Sequence, residues 1–498
     1  MERYELMKSD CVKKLKTCQT TVDCTLNAKA DMKINKILLA NADCEITTVE
    51  ALSGEARIGG RINYKVIFTD EEGGVNTLDY FSDFSMQTEC DVIPKTGLLA
   101  SGSVIDTDTV SRSDADITLS ATVNVELSAI ITEEQNVLCD GDDLCTETAN
   151  IPAMELVGIA EETFEITEEY ETGENVRNVL LIDSSLLLKN ATAGDDKISV
   201  CGEAVAVITY ENDETIVTRS ILLPFCEEIA LPGVTPSDIA VLHGFIKNTK
   251  LVLSGDAAET VIKVILDVSV KAPVFTCVLK DVAVDAYSTS NLVSLQRSAF
   301  PIRTITEYAY TETLSGSAEL GDMKGVAKIL TSCVGRNTVA NAIAYDDKLV
   351  VEGLVNVCVL YLDTEEAINS VNVELPYSFD FDAPDLEAGS EVTVRSMVVN
   401  PSAEAKTVNK IEVSATLKLC AVATSERTEK IVTSYSKGEE RDGELPAIAI
   451  YRAQSTDTVF SVAKALCCTP EMLGEQNPDL TPPFENGKRI VFFRQAEI

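Results

Sequence analysis

Three stretches of the chain share one pattern of apolar and polar positions. "GRINYKVIFTD" from Gly60, "GEAVAVITYEN" from Gly202 and "GLVNVCVLYLD" from Gly353 align without gaps. Each opens on glycine, alternates apolar with mixed residues, and carries an aromatic eight positions on, at Phe68, Tyr210 and Tyr361. The turns "DEEGG", "ENDE" and "DTEE" follow. Period-two alternation closed by a polar turn predicts a half-buried strand entering a hairpin. Upstream lie "DMKINKILLANADCEIT", "ENVRNVLLIDSSLLLKN" and "DMKGVAKILTSCVGRNT", the first of which allows a short helix around "DMKINKILL". Downstream, "LPFCEEI" and "LPYSFDF" match each other, with "FSDFSMQ" in the first copy. Late alternating runs follow: "ITLSATVNVELSAII", "VIKVILDVSVKAPVF" and "KIEVSATLKLCAVAT".

The three glycines stand 142 and 151 residues apart, a period that describes a domain rather than a solenoid repeat. Each copy holds about seven strand-like runs between polar turns, the pattern of a β-sandwich. The chain is therefore expected to be mainly β, with three tandem β-sandwich-like repeat domains at 1–150, 151–300 and 301–435. "DGDDLCTETANIPA" and "SLQRSAFPIR" read as linkers, since both combine proline with polar residues. A glycine recurring inside a strand points to a bulge or a close backbone approach.

After "SKGEERDGELP" the period changes. "AIAIYRA" alternates as a short strand. Asp457 and Thr458 suit a helix start, and Val459, Val462, Ala463 and Leu466 then fall on one helical face. Thr469-Pro470-Glu471 opens a second helix as N-cap, first residue and first-turn acid. "NPDLTPP" stops it, and "GKRIVFF" closes the unit as a strand. Residues 446–498 thus read as a small β-α-α-β domain.

Composition sharpens this picture. The 498 residues are 45% hydrophobic with no tryptophan, so the cores are built from Val, Ile, Leu and Ala. Net charge is −39; residues 446–498 carry −1 and residues 1–445 carry −38. That balance repels phosphate backbones and anionic bilayers, so no nucleic acid is expected as a partner. "MERYELMKSD" has no apolar signal core, and no stretch has the length of a membrane span, so a cytoplasmic protein without an integral span is expected. Fifteen cysteines, many within strand-like runs, read as reduced, buried small hydrophobes.

Candidate chemistry is sparse. His243 is the single histidine, which leaves no two-histidine metal site and little choice of general base. "CDGDDLC" from Cys139 sets three aspartates between two cysteines, but its spacing does not follow a calcium loop and it reads as a solvated acidic turn. There is no phosphate-cradling glycine loop opening a helix. The expectation is no enzyme, no catalytic residue, no metal and no cofactor.

The tail resembles a LysM domain. The carrying residues are Tyr451, Ala453, Asp457, Thr458, Val459, Val462 and Ala463 in "YRAQSTDTVFSVA", with Asn477-Pro478 and Gly487 beyond. Thr456 stands where that family has a turn glycine, and Phe493 where it has a closing proline. The repeats in turn resemble the SPOCS domain, through "DMKINKIL", "DMKGVAKIL", "GLVNVCVLYLD" and "LPYSFDF". Together they resemble spore coat morphogenetic proteins of the SipL type. That resemblance implies a non-enzymatic structural adaptor on the mother-cell side of the forespore surface. Its LysM domain would recruit the ATPase of the coat basement layer. The alternative it leaves is an envelope protein that binds peptidoglycan or another N-acetylglucosamine-containing glycan directly. Either ligand is expected at the first turn and the loop after the second helix: Ser455, Thr456, Asp457, Thr458 and Phe460, with Asn477, Pro478 and Asp479 opposite. Thr456 is expected to fill a position that favours a left-handed backbone, and Phe460 to lie exposed as an anchor.

Overall fold

The computed structural model describes residues 3–27, 33–90, 97–111, 116–256, 259–321, 324–441 and 446–494. It is mainly β, built from many small sheets. The strands fall into three successive sets with one connectivity. The first comprises β1 (Arg3–Asn27), β2 (Lys36–Leu52), β3 (Glu55–Thr69), β4 (Val75–Glu89), β5 (Leu98–Ser111) and β6 (Asp116–Asp140). The second comprises β7 (Cys145–Glu171), β8 (Asn178–Gly194), β9 (Lys197–Glu211), β10 (Ile216–Ala230), the two-residue β11 (Ile239–Ala240), β12 (His243–Asp256) and β13 (Glu259–Tyr287). The third comprises β14 (Asn291–Glu319), β15 (Val326–Tyr345), β16 (Lys348–Asp363), β17 (Ile368–Asp382), β18 (Glu391–Thr407) and β19 (Lys410–Glu440).

In each set the second, third and fourth long strands form one antiparallel sheet, and the first, fifth and sixth another. The last strand of each set is the middle strand of the second sheet, and it alternates strictly. In β13, Ile262, Val264, Leu266, Val268, Val270, Ala272 and Val274 are fully buried. β6 and β19 bury matching runs, Ile117 to Ala129 and Ile411 to Ala423. These rows face the other sheet of the same set and close one hydrophobic core per set. At roughly 1.5–3 kcal/mol for each large aliphatic side chain, they are the main stabilising surface.

The segment around "DMKINKILL" is strand from Lys36 onward, not helix; Asp31 and Met32 lie outside the described residues. The reason is a β-bulge. Register slips between Ile37 and Leu39, between Val179 and Leu181, and between Ile329 and Thr331. Each slip leaves one leucine unpaired; at Leu38-Leu39 and Leu180-Leu181 two adjacent apolar residues are then buried where strict alternation would expose one, while Leu330 is half-buried beside the buried Thr331. That doubled pattern resembles helical spacing. Leu38, Leu180 and Leu330 meet in a shared cluster with Ile67, Cys358 and Leu360, joining the three sets. Opposite the residue before each bulge sit Phe68, Tyr210 and Tyr361, one register position in three sheets.

The recurrent glycines face aromatic rings. Gly60 pairs with Phe84, Gly202 with Phe225 and Gly353 with Tyr377. A Cβ on Gly202 would stand 2.7 Å from both the Leu187 carbonyl oxygen and the Phe225 ring. The ring covers bare backbone, a pairing only glycine permits. Beside it, Cys201 and Cys226 are joined by a disulfide across β9 and β10. This corrects the expectation that all cysteines are thiols: the two lie directly opposite in register, which sequence spacing does not reveal.

The outer strands of each set run past the sandwich and pair as a two-stranded ribbon. The ribbon ends are Arg3 with Asp140, Cys145 with Tyr287, and Asn291 with Glu440. The three ribbons pack together over Met7, Val137, Ile151, Ala153, Val282, Phe300 and Ile431. The expected boundaries after residues 150 and 300 fall inside β7 and β14, and "SLQRSAFPIR" is strand rather than linker. Ion pairs add to the joints: Lys418 to Glu203 at 2.6 Å, and Arg336 to Asp106 at 2.6 Å. The tail follows as β20 (Ile448–Arg452), α1 (Val459–Leu466), α2 (Pro470–Gln476) and β21 (Arg489–Phe493), with β20 antiparallel to β21. Among the described residues no helix is long and apolar enough to cross a membrane.

Gly202→Ala is expected to lower stability by about 1–3 kcal/mol, the cost of forcing atoms into a filled space. Gly194→Ala, whose Cβ would meet nothing nearer than 3.5 Å, should be close to neutral. Urea unfolding of the two variants measures the difference.

Candidate interaction site on the C-terminal unit

α1 begins at Thr458. Its hydroxyl accepts from Ser461 N at 3.0 Å, and Ser461 Oγ accepts from Thr458 N at 2.9 Å, a reciprocal cap. Asp457 does not cap the helix; its carboxylate turns back and accepts from Gln454 N at 2.8 Å. α2 starts on the Thr469 cap with Pro470 at its first position, as the sequence implies.

The first turn is exposed at Ser455 and Thr456. Thr456 is not among the residues with positive φ, so the turn places no demand for glycine there. In the tail only Cys467, at φ 52°, and Gly487, at φ 87°, are left-handed among the described residues. The missing family glycine therefore strains nothing, which corrects the expectation for Thr456. Ser455 N donates to Asn486 Oδ1 at 2.9 Å, tying the turn to the loop before β21. Asn477 serves the fold: its Nδ2 donates to Leu473 O at 3.1 Å and Val491 O at 3.0 Å, bolting α2 to β21. Pro478 and Asp479 remain exposed. Among the described residues no hydrogen bond joins Ser455 or Thr456 to the 477–479 segment, so the two halves of the expected site are not bonded to each other.

Phe460 is the larger correction. It is 8% exposed, packed edge-on against Tyr287 with ring centroids 5.1 Å apart. Tyr287 ends β13, at the tip of the second ribbon, and its hydroxyl donates to Cys468 O at 2.6 Å. Burial, with the Cys145 thiol beside it, holds the Tyr287 hydroxyl well above its ordinary pKa, so it stays a donor. Around this contact Lys464 pairs with Asp285, Arg441 Nη1 approaches Cys467 Sγ at 3.0 Å, and Thr458 Oγ1 lies 3.4 Å from Glu147. Tyr287 and Cys145 belong to the same hydrophobic cluster as the tail's core. Phe460 is thus spent on docking the tail to the body. None of Glu147, Asp285 or Tyr287 was legible as a contact residue, because each sits in an ordinary strand pattern.

The body offers little for catalysis. His243 and Cys11 line one cavity where β1, β12 and β18 converge. Burial, with Arg395 and Lys271 nearby, pushes His243 down to about 4, and burial pushes the Cys11 thiol up to about 11. Both stay neutral at pH 7, the reverse of an activated thiolate–imidazolium pair. The "CDGDDLC" segment is the turn between β6 and β7. Cys139 is buried among the ribbons, Asp140 Oδ1 accepts from Gly141 N, and Asp143 pairs with Lys437 at 3.0 Å. Among the described residues no group of three or more His, Cys, Asp or Glu side chains is placed to hold a metal.

Phe460→Ala is expected to destabilise the docked tail by about 3–5 kcal/mol, and Tyr287→Phe by about 0.5–1.5 kcal/mol through the lost donor. Thermal unfolding of the full chain reads both. The neutral His243 gives a pH signature. Between pH 6.5 and 4 the unfolded chain binds a proton that the fold refuses, so its contribution is present above pH 6.5 and lost as pH falls to about 4. The loss is on the order of 3 kcal/mol, and His243→Gln should flatten the slope of stability against pH in that window.

A family model described as SipL, SPOCS domain, matches residues 175–253 and 326–406. These segments run from the start of β8 into β12 and from β15 into β18, the same strands of the second and third sets. The corresponding strands of the first set lie outside the match. No curated protein and no solved structure matches the chain. SPOCS domains form a structural family that is in general non-catalytic. The second and third strand sets, which share one connectivity, thus each contain a segment similar to the SPOCS domain of SipL.

Proposed function

We propose that the chain is a non-enzymatic adaptor of spore-envelope assembly, with the three strand sets as scaffold and the tail as recruiting module. The observation that carries this reading is the pair of SPOCS matches in a chain that ends in a separate β-α-α-β unit. The tail's element order, its caps and the "YRAQSTDTVFSVA" segment support a LysM-type unit. The partner is then the ATPase of the coat basement layer, met on the mother-cell side of the forespore surface. The tail's charge of −1 favours this role, because a near-neutral face can approach a protein that the −38 body would repel.

A glycan reading draws on the exposed Ser455, Thr456, Pro478 and Asp479. It is the weaker one, since Asn477 is committed to the fold and Phe460 is buried. The experiment is calorimetric titration of the full chain with the purified basement-layer ATPase and, separately, with N-acetylglucosamine oligomers. Saturable binding of the ATPase and no heat from the oligomers is the expected outcome. Oligomer binding without ATPase binding would replace the adaptor reading by the glycan one.

A further inference from the structure

The tail has two broad faces, and the body occupies only one. α1 lies against Tyr287, Asp285 and Glu147. The other face is the outer surface of the β20–β21 ribbon. Alternation turns Ala449, Tyr451, Ile490 and Phe492 toward the helices. Ile448, Ile450 and Phe493 turn outward and are 57%, 63% and 55% exposed. Register sets Ile448 opposite Phe493, Ile450 opposite Val491, and Arg452 opposite Arg489. The face is therefore an apolar stripe that ends in two guanidinium groups side by side.

Arg452 and Arg489 are exposed, and neither side chain makes a hydrogen bond or ion pair among the described residues. Like charges directly opposite on a sheet destabilise it. In a chain with 80 acidic residues against 41 basic ones, two adjacent arginines without a carboxylate partner are out of keeping with the rest of the surface. Among the described residues no carboxylate pairs with either arginine and no side chain covers the exposed stripe.

We propose that this face is the docking surface for a protein partner that presents apolar side chains beside carboxylates. The inference rests on the reading of the tail as a recruiting module and moves the working surface from the first turn to the ribbon. Arginine forks bind carboxylates in pairs of hydrogen bonds, and large apolar groups next to arginine are the usual anchors of an interface. An anionic bilayer would supply the same charge, but as an extended plane that also confronts the −38 body. A protein can place carboxylates locally, so a protein fits and a lipid surface does not.

The test uses the purified full chain and four probes: an alternating Leu–Glu peptide, its Leu–Lys counterpart, phosphatidylglycerol vesicles and the purified basement-layer ATPase. The wild type should bind the Leu–Glu peptide and the ATPase, and neither of the other two. Arg452→Glu combined with Arg489→Glu should weaken both interactions by at least about tenfold and reverse the peptide preference. Ile450→Ser should weaken both as well, while Thr456→Ala changes neither; matched thermal unfolding shows that the variants are folded. A wild type without preference for the Leu–Glu peptide overturns the proposal, as does vesicle binding that the arginine variant loses. ATPase binding unchanged by the ribbon variants overturns the surface and leaves the recruiting role standing. Leu–Glu binding through the ribbon without any ATPase binding sinks that role and leaves the surface.

Discussion

Everything above the sandwiches hangs on the packing of three ribbons over Met7, Val137, Ile151, Val282, Phe300 and Ile431. The strands that form this contact are the same ones that close the sandwich cores, so one register serves two hydrophobic layers at once. A slip of a single residue would turn both rows of apolar side chains outward. Arg303 fixes the register further. Its side chain is 2% exposed and reaches Glu426 on its own ribbon, Glu133 on the first ribbon and Ser9 Oγ at 2.8 Å. A buried guanidinium that lost these partners would be strongly destabilising, so the alternative registers are penalised by charge as well as by area.

The same constraint decides where the tail sits. Each ribbon ends at the tip, and the chain passes from one ribbon to the next there, at 141–144 and 288–290. The last ribbon strand delivers the tail to the neighbourhood of Tyr287, whose ring and hydroxyl then hold α1. What this contact consumes and what it leaves free follow together. The helix side is spent on the body, and the ribbon side faces solvent with Ile448, Ile450 and Phe493 uncovered.

Small sheets have many edges, and edges invite unwanted pairing. Bulges at Leu38, Leu180 and Leu330 bend three edge strands into the cluster that joins the sets. Elsewhere charge stands along the edges, as with Lys247 and Lys250 on β12. The net charge of −39 opposes the close approach of like surfaces, while specific cations bridge the sets from within: Lys65 reaches the Ile182 carbonyl, and Lys418 reaches Glu203. Cohesion is local and apolar; repulsion is spread over the surface.

By itself the sequence determined the elements whose signal is local. Alternation placed β3, β9 and β16 and the buried rows of β6, β13 and β19, because a strand's two faces are written every second residue. The capping residues Thr458, Thr469 and Pro470 placed the two helices for the same reason. Gly202 and Gly353 announced a close approach, though not the rings of Phe225 and Tyr377 that make it. Tertiary structure decided what depends on partners distant in the chain. The segment around the bulged Leu38 looked helical until the neighbouring sets explained its burial. The 294–303 stretch looked like a linker until it paired with β19. Phe460 looked like a free anchor until Tyr287, more than 170 residues earlier, covered it. A side chain's own neighbours in sequence fix its backbone conformation, but its exposure is set by whatever surface the fold brings against it.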